Sequence, residues 1–165
     1  MSTDLETIEI AVIGLGNELM SDDGIGIHAI RHLRCVLPAE VPCEEIGTAA
    51  LQAQTLCEKA ETVIAIDAVS AGGQPGDLTV FDLEAAPTPA TGSLHSLSLT
   101  QVIALIAPDQ RPRVVVVGVE PRRIQCGLDL SNKVKAAVPK VVRLVCSLVA
   151  SGGLIDDAIR KEKIK

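Results

Sequence analysis

The first strongly patterned stretch of the chain is Ile10-Ala11-Val12-Ile13, an apolar run that predicts a strand over 8–13 covered on both faces. The run breaks at Gly14 into a loop with Gly14, Gly16, Gly24 and Gly26 and three acids, Glu18, Asp22 and Asp23. A helix is expected at once, with Ile27, Ile30, Leu33 and Leu37 on one stripe and His28, Arg31, His32 and Cys35 opposite, stopped by Pro38. A short strand at 42–46 and a helix over 48–60, carrying Leu51, Leu56 and interspersed alanines, come next. Residues 62–69, T-V-I-A-I-D-A-V, read as a second buried strand with Asp67 near its carboxyl end.

A glycine-rich turn at 71–77 leads to L-T-V-F-D, an edge strand suited to antiparallel pairing, and then to a Pro/Thr/Ala/Gly-rich segment at 85–93. His95 follows directly, at the head of a helix over 97–107 with Leu99, Val102, Ile103 and Ile106 inward and Pro108 closing it. R-V-V-V-V-G-V-E-P, 113–121, is a further buried strand that Glu120-Pro121 turns outward. Ser131 is placed to cap a long helix with Val134, Val138, Val141, Val142 and Val145 as its core stripe, kinked at Pro139 and ended by Gly152-Gly153. Residues 154–165 are expected to be a frayed or mobile tail. Strands alternating with helices predict an α/β fold, a mainly parallel sheet with helices on both faces.

Composition narrows this picture. A chain of 165 residues fits one domain spanning 1–165 and can bury about 70% of its unfolded surface. With one aromatic residue, Phe81, the core must be built from aliphatic side chains. Net charge −6 and the lack of base-stacking rings argue against nucleic-acid binding. The five cysteines, Cys35, Cys43, Cys57, Cys126 and Cys146, are odd in number and contain no C-x-x-C, which argues for small buried hydrophobes in a reducing cytosol. The acidic N-terminus lacks a secretory signal, and 136–150 is too short and too charged to span a bilayer, so a cytoplasmic location is expected.

The candidate chemistry lies at the carboxyl edge of the expected sheet, where strand ends and loops form sites. Asp23 follows the first strand, Asp67 ends another, and His95 heads a later helix, so only the fold can unite them. Together they would make an N/O donor set suited to Zn²⁺, Ni²⁺ or Mn²⁺. The plainer alternative is a helix N-terminus capped by Asp22 or Asp23, and a surface His95. His28 and His32 have chelating spacing but lack the glutamate of H-E-x-x-H, and read as solvated helix surface. G-L-G-N-E-L fails as a dinucleotide fingerprint because Leu19 occupies the third glycine position. Neither a Walker A motif nor a G-x-S-x-G elbow is present.

G-L-G-N-E-L-M-S-D-D-G-I-G resembles the opening signature of the [NiFe]-hydrogenase maturation endopeptidases, G-x-G-N-x-L-x-x-D-[DE]-x-x-G. The resemblance continues through Gly47-Thr48, with Glu45 where Asp is common, through I-A-I-D-A-V, His95-Ser96-Leu97-Ser98-Leu99 and G-V-E-P, to Leu130-Ser131 and Pro139. It implies a twisted, mostly parallel five-stranded sheet in a three-layer αβα fold. It also implies removal of a C-terminal extension from a hydrogenase large-subunit precursor after nickel insertion. Carried over by position, Asp23, Asp67 and His95 would contact the nickel that the substrate carries, and Asp23 or Asp67 would serve catalysis. Asn17, Glu18, Gly47 and Thr48 would meet the substrate, while Asp22 orders the turn. The implied partner is the precursor, with no organic cofactor, no nucleic acid and no membrane, and a monomer is favoured. Two other readings remain open: a metallohydrolase with its own zinc, and a non-catalytic chaperone for nickel or the precursor.

Overall fold

The computed structural model describes residues 7–85 and 94–155; for residues 94–97 and 85 only the backbone is described. Five strands form one sheet: β1 (Ile8–Leu15), β2 (Cys43–Gly47), β3 (Ala60–Ala68), β4 (Leu78–Asp82) and β5 (Arg113–Val119). Their order is β2-β1-β3-β5-β4. All pairs are parallel except β4 with β5, which runs antiparallel as expected for the edge strand. Among the described residues the α-helices are α1 (Ile25–Leu33), α2 (Gln54–Lys59), α3 (Leu94–Leu105) and α4 (Asn132–Ala150).

The period of two along each strand sorts the core into two layers. Ile10 and Val12 of β1, Ile64 and Ile66 of β3, and Val115 and Val117 of β5 join α1 and α4 on one face. Ala11 and Ile13, Val63 and Ala65, and Val114 and Val116 meet Cys57 of α2 and Leu99 of α3 on the other. Asp67 belongs by alternation to this second set, the face on which α3 packs. Each fully buried Val, Leu or Ile contributes roughly 1.5–3 kcal/mol by removal from water, which lets an aliphatic core hold the fold without large aromatics.

Three local expectations are revised. The helix expected over 48–60 is a 3₁₀ turn, Ala50–Ala53, followed by the short α2. Leu51 is 62% exposed, and the inward stripe is Ala50, Ala53 and Cys57 instead. Small side chains at that spacing allow close approach to the sheet, and a hydrophobicity pattern weighted to leucine overlooks them. Helix α1 ends at Leu33, well before Pro38, in a turn closed by Cys35 N–H on His32 O and Val36 N–H on Leu33 O. Cys35 and Cys126 are exposed, so the expectation of five buried cysteines holds fully only for Cys43 and Cys57. Pro139 lies inside helix α4, on its exposed side. No helix among the described residues is long and apolar enough to cross a membrane. Most of the proposed 154–165 tail lies outside the described residues.

Candidate active site at the carboxyl edge of the sheet

β1 ends in Leu15, and the register Gly14↔Ile66 places that end beside Asp67 of β3. The chain then turns through Gly16, at φ +109°, where a Cβ would overlap the carbonyl oxygen of Asp23. Only glycine accommodates both the dihedral and the contact. The turn packs Asp23 against the end of β1, so Asp23 and Asp67 reach the same edge. Asp23 is 7% exposed and Asp67 fully buried. Gly26, in the first turn of α1, makes the other close approach: a Cβ there would lie 2.5 Å from Ile66 O. Helix α1 therefore starts hard against β1 and β3.

Within the loop, Asn17 N–H donates to Asp23 Oδ2 at 2.8 Å, and Asn17 Oδ1 accepts Leu19 N–H at 3.0 Å. Asn17 thus orders the loop and orients the Asp23 carboxylate. Glu18 reaches the rim and pairs with Arg31 at 2.8 Å, and Arg31 also bonds Glu45 at 3.1 Å. Arg34 adds Glu45 at 2.8 Å. These exposed pairs are each worth at most about 1 kcal/mol, so their effect is to orient α1, β2 and the loop rather than to stabilise the fold. Gly47 O accepts Gly16 N–H at 3.1 Å, joining the end of β2 to the loop, and Thr48 beyond it is exposed.

Asp22 behaves differently from its neighbour. It is fully buried, and its carboxylate accepts four hydrogen bonds. Oδ2 takes Arg122 N–H at 2.9 Å, Arg123 N–H at 3.0 Å and the Ser131 hydroxyl at 2.9 Å, and Oδ1 takes Ser131 N–H at 2.6 Å. The first acid of the pair thereby clamps the loop between β5 and α4. Ser131 sits at the N-cap of α4 as expected, but its hydroxyl serves Asp22 and makes no cap bond to the helix. Neither Asp22 nor Asp23 caps the start of α1, so the capping alternative does not hold.

His95 is the second residue of α3, on the face of the sheet toward which Asp67 points; its side chain lies outside the described residues. Among the described residues no group of three or more His, Cys, Asp or Glu side chains could hold a metal ion. His28 and His32 accordingly form no such site. His28 is half-buried rather than solvated; burial, then the Arg31 charge, pushes its pKa below the usual value, while a hydrogen bond with the Leu128 backbone acts the other way.

A family model for hydrogenase maturation proteases matches residues 28–148, most of the chain. The chain belongs to the hydrogenase maturation protease family. It is 30% identical to the hydrogenase expression/formation protein HupD of Bradyrhizobium diazoefficiens, over 93% of this chain and 84% of that one. It is 28% identical to the hydrogenase 2 maturation protease of Escherichia coli, over 95% and 99% of the two chains. The [NiFe] hydrogenase maturation protease HybD from Thermococcus kodakarensis superposes with a TM-score of 0.71 at 28% identity, covering 84% of this chain and 97% of that one. The five-stranded αβα architecture expected from the resemblance is thus the family's own. Sequence reasoning missed two carboxylate clamps in this maturation protease: the distant partners of Asp22, and Glu120, whose Oε2 accepts Ala71 N–H at 2.7 Å and Gly73 N–H at 3.1 Å. Both bridge loops far apart in the chain, and neither has a local signature.

Proposed function

We propose that this chain is the endopeptidase that removes the C-terminal extension of a [NiFe]-hydrogenase large-subunit precursor, and that it selects the nickel-loaded form. The observation that carries this reading is the convergence of Asp23 and Asp67 on one edge of the sheet, both nearly free of solvent, with Asp23 held beside the Gly16 turn that leaves no room for a side chain. Two carboxylates at that edge, with His95 at the head of the adjacent α3, supply hard and borderline donors suited to a nickel ion carried by the substrate. That contact distinguishes metallated precursor from apo-precursor and positions the scissile bond.

In the hydrolysis, water adds to the scissile carbonyl carbon, and the C–N bond then breaks. A carboxylate of the Asp23–Asp67 pair takes the water's proton and returns it to the departing amine. The Asn17 N–H bond to Asp23 Oδ2 fixes one oxygen of the Asp23 carboxylate. The enzyme holds no organic cofactor in this scheme; nickel arrives with the substrate and leaves with the product. Glu18, paired with Arg31, and the exposed Thr48 would meet the precursor body.

The test is processing of a matched, nickel-loaded precursor by Asp23→Asn, Asp67→Asn and His95→Ala, read as the shift to the shorter large subunit. Each variant is expected to retain its fold by circular dichroism and to lose processing by at least about 100-fold, the scale on which general acid–base groups act. Full activity in any one removes that residue from the site. Stoichiometric zinc that is retained through purification and needed for activity would favour the resident-metal hydrolase. Binding without shortening would favour the chaperone.

A further inference from the structure

Helices α1 and α4 both start at the carboxyl edge of the sheet and leave a groove of about 670 Å³ between them. Its floor is apolar, with Leu130, Val138 and Val142, and its walls carry His28, Lys135 and Arg143. At the upper end, Ser21 N–H donates to Gly127 O at 2.7 Å and Gly127 N–H to Leu19 O at 2.9 Å. That pairing sets Leu19 beside Leu128, and both are exposed, at 60% and 65%; Ile124 in the same loop is exposed at 52%. The Asp23 loop, the apolar rim and the groove are therefore continuous.

The charge on this surface runs against that of the whole chain, which is −6. Arg122 and Arg123 at the rim and Lys135 and Arg143 along the groove are exposed. None of the four has an ion pair among the described residues, whereas Arg31 and Arg34 on the opposite flank of α1 are each paired with glutamates. Asp129 is the one carboxylate lining the groove. Exposed leucines flanked by cations without ion pairs among the described residues, next to a candidate processing site, suit a peptide that carries apolar side chains and negative charge.

We propose that the α1–α4 groove docks the segment of the precursor adjoining the scissile bond, an extended acidic peptide with apolar anchors at the Leu19–Leu128 rim and on the Val138–Val142 floor. The proposal rests on the peptidase reading above. Leu130 to Arg143 spans about 20 Å at roughly 1.5 Å per helical residue, room for about six residues of extended chain. The groove then supplies affinity and register, and the carboxyl edge supplies the chemistry.

Charge reversal on the exposed side of α4 tests this without touching the core. The full-length enzyme is compared with Lys135→Glu/Arg143→Glu and with a control of equal charge change, Lys133→Glu/Lys140→Glu. The control residues line the other flank of α4, against Gln74 and Pro75. Processing kinetics on the nickel-loaded precursor and its equilibrium binding are both measured. The groove pair should raise KM and weaken binding by about tenfold or more, the sum of two modest surface ion pairs, with kcat within about twofold and the control near wild type. Equal effects of the two pairs would reduce the result to long-range charge and overturn the proposal. No change in KM or binding for the groove pair would overturn it as well. If the wild-type protein binds but never shortens the precursor while the groove pair still weakens binding, the peptidase reading fails and the docking surface stands. Normal processing with an indifferent groove pair gives the reverse.

Discussion

Replacing Asp22 tests how the loop that carries the site is built. In Asp22→Ala, four donors lose their acceptor: the N–H groups of Arg122, Arg123 and Ser131 and the Ser131 hydroxyl. Arg122 and Arg123 are exposed residues whose N–H groups can recruit water. Ser131 is 5% exposed, so its N–H and O–H are stranded at about 1–3 kcal/mol each. A loss of roughly 2–6 kcal/mol follows, a large share of the 5–15 kcal/mol typical of a folded protein. At about 2–4 °C per kcal/mol for a chain of this size, the melting temperature should fall by roughly 4–24 °C.

Asp22→Asn separates charge from shape. With its amide oxygen at the Oδ2 position, asparagine keeps three of the four bonds but turns its NH₂ toward Ser131 N–H, donor against donor. The flipped amide faces three donors and is worse. The expected cost is about 2–3 kcal/mol, near that of one charge-assisted bond exchanged for a repulsive contact. Urea unfolding measures both variants, and amide hydrogen exchange should show faster exchange at 122–131 and in the first turn of α4. An Asp22→Ala variant within about 1 kcal/mol of wild type, with unchanged exchange there, would refute the clamp.

Two further outcomes follow from the structure. Gly16→Ala should destabilise the protein by about 3 kcal/mol or more and abolish processing, because its φ of +109° and the Asp23 carbonyl both exclude a methyl group; a stable, active Gly16→Ala enzyme would contradict the loop geometry. Thiol titration of the native protein at pH 8 should find Cys35 and Cys126 reactive, and Cys43 and Cys57 protected until denaturation. Burial raises the pKa of both protected thiols, that of Cys57 to about 11. Rapid labelling of Cys57 in the folded enzyme would refute its place in the core.

The parts of this molecule that announce themselves in sequence are those built from local periodicity. β1, β3 and β5 are near-continuous runs of Val, Ile and Ala, as strands covered by helices on both faces must be, and the valine stripe of α4 repeats at helical spacing. The division of labour between Asp22 and Asp23 is partly legible, since the sequence already suggests that Asp22 orders the turn. Its reach to Arg122, Arg123 and Ser131 is not, because a clamp between loops about 100 residues apart leaves no periodic trace. The short α2 is poorly legible in sequence because alanine and cysteine contribute little to a hydrophobic pattern yet pack most closely. The His28–His32 spacing was visible, but the groove it borders exists only once α4 is laid beside α1.

Under the proposed function, the Asp23–Asp67 edge acts on a metallated precursor. The most direct measurement is incubation of the purified protein with its matched large-subunit precursor, with and without inserted nickel, followed by intact-mass analysis. Loss of one C-terminal fragment from the nickel-loaded precursor alone is the expected result. Equal cleavage of the nickel-free precursor, or none of either, would contradict it.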